Sequence, residues 1–340
     1  MIDFPRHSDE WYTKKLEVPS HTPRPRIVID TDAANEVDDQ FALAWALLSP
    51  TELDLEAVYA APFSFGHRRA SLPKAPADAA PFDPPNLGME RSYAEIERVF
   101  DRMSLNSTGR VFRGSAGYLV SASEPQRSAA CDHLIALGRT ASAQHPLYVV
   151  ALGCVTNIAS ALLLAPDLVD RIVVVWTSGY PSCAPHVNVS FNLEQDAAAS
   201  RVLLDSGVPL VYLPGFHVGA QLRLSSAEVE RYVMGCGAIG DYLHELFSNN
   251  PLWSILGHDA TKPHSWVIWD LICLAWLIRP EWVPSSLVRT PRLDAELRWL
   301  QDADRPLMRE GHAVLRDAIF NDFFAKLAAS PHAHLNASHP

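Results

Sequence analysis

Short apolar runs alternate with helical patterns over most of the chain. The runs are rich in β-branched residues, which is typical of strands buried on both faces of a parallel sheet. Strands are predicted at 26–30, 55–61, 147–153, 171–179 and 208–214. Apolar residues recur with helical spacing at 38–48, 93–103, 131–141, 157–165 and 196–207. This alternation predicts an α/β fold with a doubly wound, mostly parallel sheet flanked by helices.

The C-terminal part of the chain is predicted to be more helical. Helical spacing occurs there at 225–250, 266–278 and 313–329. Segment 71–86 is rich in Pro and Ala and lacks periodicity, so it predicts an irregular loop insertion rather than a linker between two cores. We therefore expect a single domain over residues 1–330, followed by a disordered tail at 331–340.

Composition and charge narrow the class of protein. The chain has 340 residues, of which 48% are hydrophobic and 20% charged, as in an ordinary globular protein. Its formal charge of −11 argues against a nucleic-acid partner, because such partners require basic surface. Neither a signal peptide nor an apolar run of membrane-spanning length is recognisable, so we expect a cytoplasmic protein without membrane contacts. Five cysteines without a C-x-x-C motif argue against zinc or a disulfide framework.

Carboxylates cluster directly after the first predicted strand. Five lie within ten residues: Asp30, Asp32, Glu36, Asp38 and Asp39. Open α/β sheets bind ligands at the carboxyl ends of their strands. Asp38 or Asp39 could simply cap the following helix, but a cap needs only one carboxylate, and so much like charge is costly without a cation. Oxygen ligands favour a hard cation, and Ca²⁺ leaves open positions for water and ligand hydroxyls more readily than Mg²⁺.

Four sequence blocks, in order, resemble the inosine-uridine-type nucleoside hydrolases. They are IDTD…DDQFALAWAL (29–47), VVALGCVTNIASALLLAPDL (149–168), FNLEQDAAASRVLLDSGVPLV (191–211) and WDLICLAWL (269–277). The resemblance covers roughly residues 26–280. It implies an enzyme that hydrolyses the N-glycosidic bond of ribonucleosides to base and ribose, uses Ca²⁺, and forms a homodimer or homotetramer.

The resemblance also implies the metal ligands. Asp32 would bind Ca²⁺ and act as the general base that activates a Ca²⁺-bound water. Asp39 would chelate the ion, and Thr156 would supply its main-chain carbonyl. Asp270 would complete the protein ligands and contact the ribose 3′-hydroxyl, while Asp30 would brace the loop from behind.

Substrate contacts follow from the same resemblance. Asp38 would accept a hydrogen bond from the ribose 2′-hydroxyl, and Asn192 would hold other sugar hydroxyls. Trp269 either stacks on the base or is a core aromatic residue of its helical pattern. His67 lies after the second predicted strand and is, like His186 and His217, a candidate acid for the leaving base or a structural histidine. Phe63 and Phe65 could line the base pocket.

The chain departs from the family pattern in three places. Five residues, 33–37, separate Asp32 from the following Asp pair where the family has three, so Asn35 or Glu36 could intrude on the site. Ser190 stands where the family has an acid that grips the 5′-hydroxyl. Trp269 replaces the usual histidine, as in some purine-specific members.

Other functions are compatible with parts of the pattern. Ser190 and the longer loop motivate an enzyme of the same fold acting on another ribosyl or glycosyl compound. A non-catalytic, metal-dependent sugar-binding protein is a further alternative. A haloacid-dehalogenase-type phosphatase shares D-x-D after the first strand, but its phosphate-binding lysine has no well-placed counterpart, since only Lys262 and Lys326 follow residue 74.

Overall fold

A computed structural model describes residues 4–20, 22–76, 78–142, 144–250, 252–257, 259, 262 and 264–330. The tail predicted at 331–340 lies outside these residues. None of the described helices combines the length and the apolar character that crossing a membrane requires.

Eight strands form one central sheet. The strands of the described residues are β1 (Arg26–Thr31), β2 (Asp54–Ala60), β3 (Val111–Arg113), β4 (Leu147–Ala151), β5 (Ile172–Ser178), β6 (Leu210–Pro214), β7 (Arg223–Ser225), β8 (Ser265–Val267), β9 (Ser285–Arg289), β10 (Arg292–Leu293), β11 (Trp299–Leu300) and β12 (Leu307–Gly311). The central sheet has the order β3-β2-β1-β4-β5-β6-β12-β9, while β7 pairs with β8 and β10 with β11. All pairs in the central sheet are parallel except that of β9 with β12.

Helices cover both faces of this sheet. They are α1 (Asp9–Lys15), α2 (Asp38–Leu47), α3 (Pro85–Arg102), α4 (Ala129–Gly138), α5 (Thr156–Leu164), α6 (Phe191–Glu194), α7 (Ala197–Ser206), α8 (Ser226–Tyr232), α9 (Gly237–Ser248), α10 (Trp253–Leu256), α11 (Leu271–Ile278) and α12 (Arg316–Ala328). Successive strand residues point to opposite faces, so Ile27 and Ile29 pack with α2, α3, α9, α11 and α12, whereas Val28 packs with α4, α5 and α7. The doubly wound, mostly parallel α/β architecture is confirmed.

The structure corrects several predicted elements. The segment predicted as helix at 266–278 begins with strand β8, and its helix, α11, starts only at Leu271. Helix α3 starts at Pro85 rather than at residue 93, and short 3₁₀ turns occupy part of the 71–86 segment. The C-terminal part also adds β9 and β12 to the central sheet. These two strands were not predicted, because they mix polar and apolar residues and give no apolar run.

Candidate metal centre and substrate cavity

The site lies where the winding of the sheet reverses. Strands β1 and β4 are neighbours, and the chain continues outward from them in both directions, as β2 and β3 on one side and β5 and β6 on the other. Such a switch point opens a crevice at the carboxyl ends of the strands. Asp32 follows β1 and Leu152 follows β4, and both line a cavity at this point.

Three carboxylates converge beside that cavity. One oxygen from each of Asp38, Asp39 and Asp270 lies within 4.8 Å of the other two, and all three residues are buried. Asp38 and Asp39 open helix α2, with Val37 at the N-cap position, while Asp270 directly precedes α11. Helices α2 and α11 pack against each other, so their N-terminal ends, which favour negative charge, bring the carboxylates together.

Asp32 lies at the side of this cluster and is held by neutral groups. Its Oδ2 accepts hydrogen bonds from Gln195 Nε2 and Asn35 Nδ2, both at 3.4 Å. Tyr118 donates to the Gln195 side-chain oxygen at 2.8 Å and fixes the orientation of that amide. A Cβ atom added to Gly153 would lie 2.8 Å from Asp32 Oδ1, so only glycine leaves room for this carboxylate. Asp32 is therefore positioned by β4 and the α6–α7 segment.

Burial and mutual repulsion raise the pKa values of the acids in the site. Burial raises the pKa of Asp32, Asp38 and Asp270, and neighbouring carboxylates raise each further. Burial raises the pKa of Asp39 to about 6, although Thr31 donates a hydrogen bond to its carboxylate. Burial also raises the pKa of Glu36 to about 7. The cluster is costly to ionise without a compensating cation.

The donor set fits a divalent cation. The oxygens that converge all belong to carboxylates, which are ligands that hard cations prefer. Asp270 Oδ2 is buried and has no hydrogen-bond partner among the described residues, whereas buried carboxylate oxygens ordinarily have one. Asp38, Asp39 and Asp270, with Asp32 beside them, could hold such an ion.

The cavity is much larger than an ion requires. Its volume is about 240 Å³. A cavity that holds one water needs only roughly 10–15 Å³. Aromatic side chains form much of its wall. They are Phe65, Phe191, Phe216, Trp266 and Trp269. Trp269 is only half-buried and meets the Phe216 ring edge-on at 6.0 Å, so it faces the cavity instead of the core.

Polar side chains from the ends of β5 and α6 face the same space. Asn192 donates from Nδ2 to the carbonyls of Leu152 at 2.6 Å and Thr177 at 3.1 Å, which fixes its amide at the cavity wall. Ser190 and Ser178 also line the cavity, and their hydroxyls are hydrogen-bonded at 3.0 Å. The candidate substrate residues Asp38, Ser190, Asn192, Trp269 and Asp270 therefore meet in one place.

Two predicted site residues lie elsewhere among the described residues. Thr156 begins α5, donates its hydroxyl to Asp196 at 2.6 Å and does not line the cavity; its carbonyl as a metal ligand stays a prediction. His67 lies behind the cavity wall, where its Nε2 is 2.8 Å from Glu194 Oε1.

The other aromatic candidates are divided in the same way. His186 and His217 pack around Tyr180, and the Tyr180 ring in turn contacts Phe216, which lines the cavity. Phe63 packs in a small apolar cluster, whereas Phe65 lines the cavity. Among the described residues, no histidine lines the cavity.

Several residues of the site were not predicted, and four of them bear on its chemistry. Gln195 positions Asp32. Ser178 ends β5, Phe216 follows β6, and Arg68 contributes a positive charge to the cavity wall. The strand-end rule that pointed to Asp32 could also have indicated Ser178 and Phe216. Arg68 sits on a 3₁₀ turn, Phe65–Ser71, and no pattern in the sequence indicates where that turn folds back.

Fold and site together define a doubly wound α/β protein with a candidate metal centre at its switch point. The family model for inosine-uridine preferring nucleoside hydrolase matches residues 87–315, and the chain belongs to this family. It is 32% identical over 143 residues to the non-specific ribonucleoside hydrolase RihC of Shigella flexneri. That match covers 41% of this chain and 43% of RihC, so the chain spans less than half the length of this curated relative.

Solved structures share the fold over nearly the whole chain. The purine-preferring ribonucleoside hydrolase from Gardnerella vaginalis superposes with a TM-score of 0.67 at 20% identity, covering 89% of this chain and 98% of that one. The plant nucleoside hydrolase PpNRh1 gives 0.65 at 16% identity, covering 90% and 100%.

Proposed function

We propose that the protein is a metal-dependent N-glycosidase that hydrolyses ribonucleosides to base and ribose. The observation that carries the proposal is the convergence of Asp38, Asp39 and Asp270 beside a cavity that also holds Asp32 and aromatic walls. Family membership and the RihC relative, named as a ribonucleoside hydrolase, support the same reaction. Ca²⁺ is the proposed ion, because it accepts six to eight oxygen ligands in flexible geometry.

Each residue of the site has a proposed task. A bound divalent cation would lower the pKa of water and attract sugar hydroxyls. Asp32 would accept the proton of the attacking water, with Gln195 holding its carboxylate in place. Asp38 and Asn192 would orient the ribose, and the surrounding carboxylates would stabilise positive charge that develops on the sugar. Trp269 would stack on the base.

The proposed mechanism has no histidine that protonates the leaving base. No histidine lines the cavity among the described residues, and His67 is engaged by Glu194. We therefore propose that the reaction relies on stabilising the sugar cation and activating water more than on protonating the base. A base that is already electron-poor should then leave fastest.

The test is release of reducing sugar from a panel of purine and pyrimidine nucleosides. We expect turnover that is abolished by EDTA and restored by Ca²⁺ more fully than by Mg²⁺. Asp32→Asn keeps an oxygen near the metal but removes the base, and should lower kcat by about 10²- to 10⁴-fold. Nucleoside binding without turnover in the Ca²⁺-loaded wild type would favour the non-catalytic sugar-binding alternative. If the Ca²⁺-loaded wild type showed no nucleoside binding and no turnover, the proposal would be overturned.

A further inference from the structure

One wall of the cavity carries a guanidinium group. Arg68 lines the cavity from the 3₁₀ turn Phe65–Ser71. Its Nη2 donates to the carbonyl of Val189 at 2.7 Å, and its Nε donates to the carboxylate of Glu194. A guanidinium has five N–H donors, so these two bonds orient Arg68 and leave three. Within the described part of the chain the hydrogen bonds of Arg68 come from Nε and Nη2, which leaves Nη1 for a ligand.

Two hydroxyls lie in the same part of the wall. Ser190 follows Val189 directly, and its Oγ is 3.0 Å from that of Ser178; both side chains are buried and line the cavity. A hydrogen bond between two hydroxyls uses one of their two hydrogens. The pair therefore has one O–H that can donate to a ligand.

The chemistry of this wall differs from that of the family pattern. The resemblance places an acid at position 190, where it would grip the 5′-hydroxyl of ribose, and this chain has a neutral serine. A guanidinium and two hydroxyls without that acid form a donor-rich surface. Planar guanidinium groups bind phosphate through parallel N–H···O bonds, and serine hydroxyls complete such sites.

We propose that the cavity takes ribosyl compounds that carry a phosphate on the 5′ carbon, which Arg68, Ser190 and Ser178 would hold. This inference rests on the proposed function, because it uses the same cavity and the same placement of the ribose. Glu194 and Glu36 are the acids that face Arg68, so the wall is only partly positive. Preference between matched substrates is therefore a sharper measure than affinity alone.

The experiment compares inosine with inosine 5′-monophosphate, and uridine with uridine 5′-monophosphate, at fixed free Ca²⁺. We expect kcat/KM of the wild type to be higher for each monophosphate by about 10-fold or more. Arg68→Gln should lower the monophosphate-to-nucleoside ratio by about 10- to 100-fold, the range expected for lost hydrogen bonds to a charged group. Arg113→Gln, which removes an exposed arginine paired with Glu90, should leave the ratio unchanged.

Ser190→Glu is the second variant. It restores an acid at this wall, so it should repel a phosphate and shift preference to the unphosphorylated nucleoside. It keeps the inference testable if Arg68→Gln fails to fold. A monophosphate-to-nucleoside ratio that stays at or above the wild-type value in Ser190→Glu would contradict the proposed position of the phosphate.

Calorimetric binding separates failure of the inference from failure of the proposed function. In the Asp32→Asn variant, inosine 5′-monophosphate should bind at least about 10-fold more tightly than inosine, and adding Arg68→Gln should remove the difference. Nucleosides that are hydrolysed and bound better than their monophosphates would overturn the inference and leave the proposed function intact. If the monophosphate bound in an Arg68-dependent way but the Ca²⁺-loaded wild type hydrolysed neither nucleosides nor monophosphates, the inference would be supported and the proposed function overturned.

Discussion

A carboxylate oxygen of Asp270 lies within 4.8 Å of one from Asp39, although the two residues belong to different halves of the chain. Asp39 is in the first turn of α2, and Asp270 immediately precedes α11. The two helices pack in the same apolar layer, which is why their N-terminal ends meet. Two carboxylates this close repel each other unless a proton or a cation lies between them.

Asp270→Asn should weaken divalent-ion binding. The substitution keeps the size of the side chain but removes one negative charge and one anionic oxygen from the cluster. We expect the Kd for Ca²⁺, measured by isothermal titration calorimetry on chelator-treated protein, to rise by at least about 10-fold, equivalent to about 1.4 kcal/mol. Asp317→Asn is the matched control, since Asp317 is exposed on α12. Equal Ca²⁺ affinities of Asp270→Asn and wild type would remove Asp270 from the metal centre.

Gly153→Ala should disable Asp32 without unfolding the protein. The new Cβ would lie 2.8 Å from Asp32 Oδ1 and 2.9 Å from its Cγ, so the carboxylate must shift. Displacing a reacting group by about 1 Å costs roughly 10²-fold in rate, and we expect a fall in kcat of that order.

The control for this variant is Gly117→Ala, because a Cβ at Gly117 would meet no atom within 4 Å. Both variants should keep the circular dichroism spectrum of the wild type. If Gly153→Ala turned over nucleosides at the wild-type rate, the placement of Asp32 against β4 would not matter for catalysis.

The core of the fold could be predicted from local patterns. Strands β1, β2, β4, β5 and β6 are apolar runs because helices bury both faces of the sheet, and such runs are visible in a single sequence. Strands β9 and β12 could not be predicted in this way. The residues of β9 are intermediate or exposed and those of β12 intermediate or buried, and β12 becomes a strand through its pairing with β6 and β9.

The site divides along a similar line. Asp32, Asp38 and Asp39 follow a predicted strand, so the strand-end rule alone indicates them. Asp270 could be proposed only from the family resemblance, because nothing local indicates that α11 packs beside α2. Arg68 was missed because its position depends on how a turn after β2 folds against α6, a contact between distant segments.

Trp269→Ala should reduce the contribution of the base to binding. Stacking on an aromatic ring is worth about 1–3 kcal/mol per base, so kcat/KM for purine nucleosides should fall by roughly 10-fold or more, mainly through KM. Trp269→Phe should lose less, because a smaller ring still stacks. The matched control is Trp11→Ala, which removes a tryptophan of helix α1 that stacks on His7. Unchanged KM in Trp269→Ala would assign the ring to packing against Phe216 alone.

The stability of the metal-free protein should fall as pH rises. Burial raises the pKa of Asp39 to about 6 and those of Asp30 and Glu36 to about 7 in the folded chain, from about 4 when unfolded. Between these values the folded state holds more protons than the unfolded state, so the free energy of unfolding decreases with increasing pH. The stability that these protonated acids contribute is complete below about pH 4 and is lost as pH rises through about 7.

We therefore expect Tm in EDTA to drop by about 5 °C or more between pH 5 and pH 8, measured by differential scanning calorimetry. Ca²⁺ should remove most of that drop, because it stabilises the ionised carboxylates and so favours the folded state more as pH rises. Asp270→Asn should flatten the curve in EDTA, since it removes one repelling charge beside Asp39. A Tm that rises with pH in EDTA would mean that these carboxylates are ionised and stabilised by the protein itself, and the need for a cation at the centre would disappear.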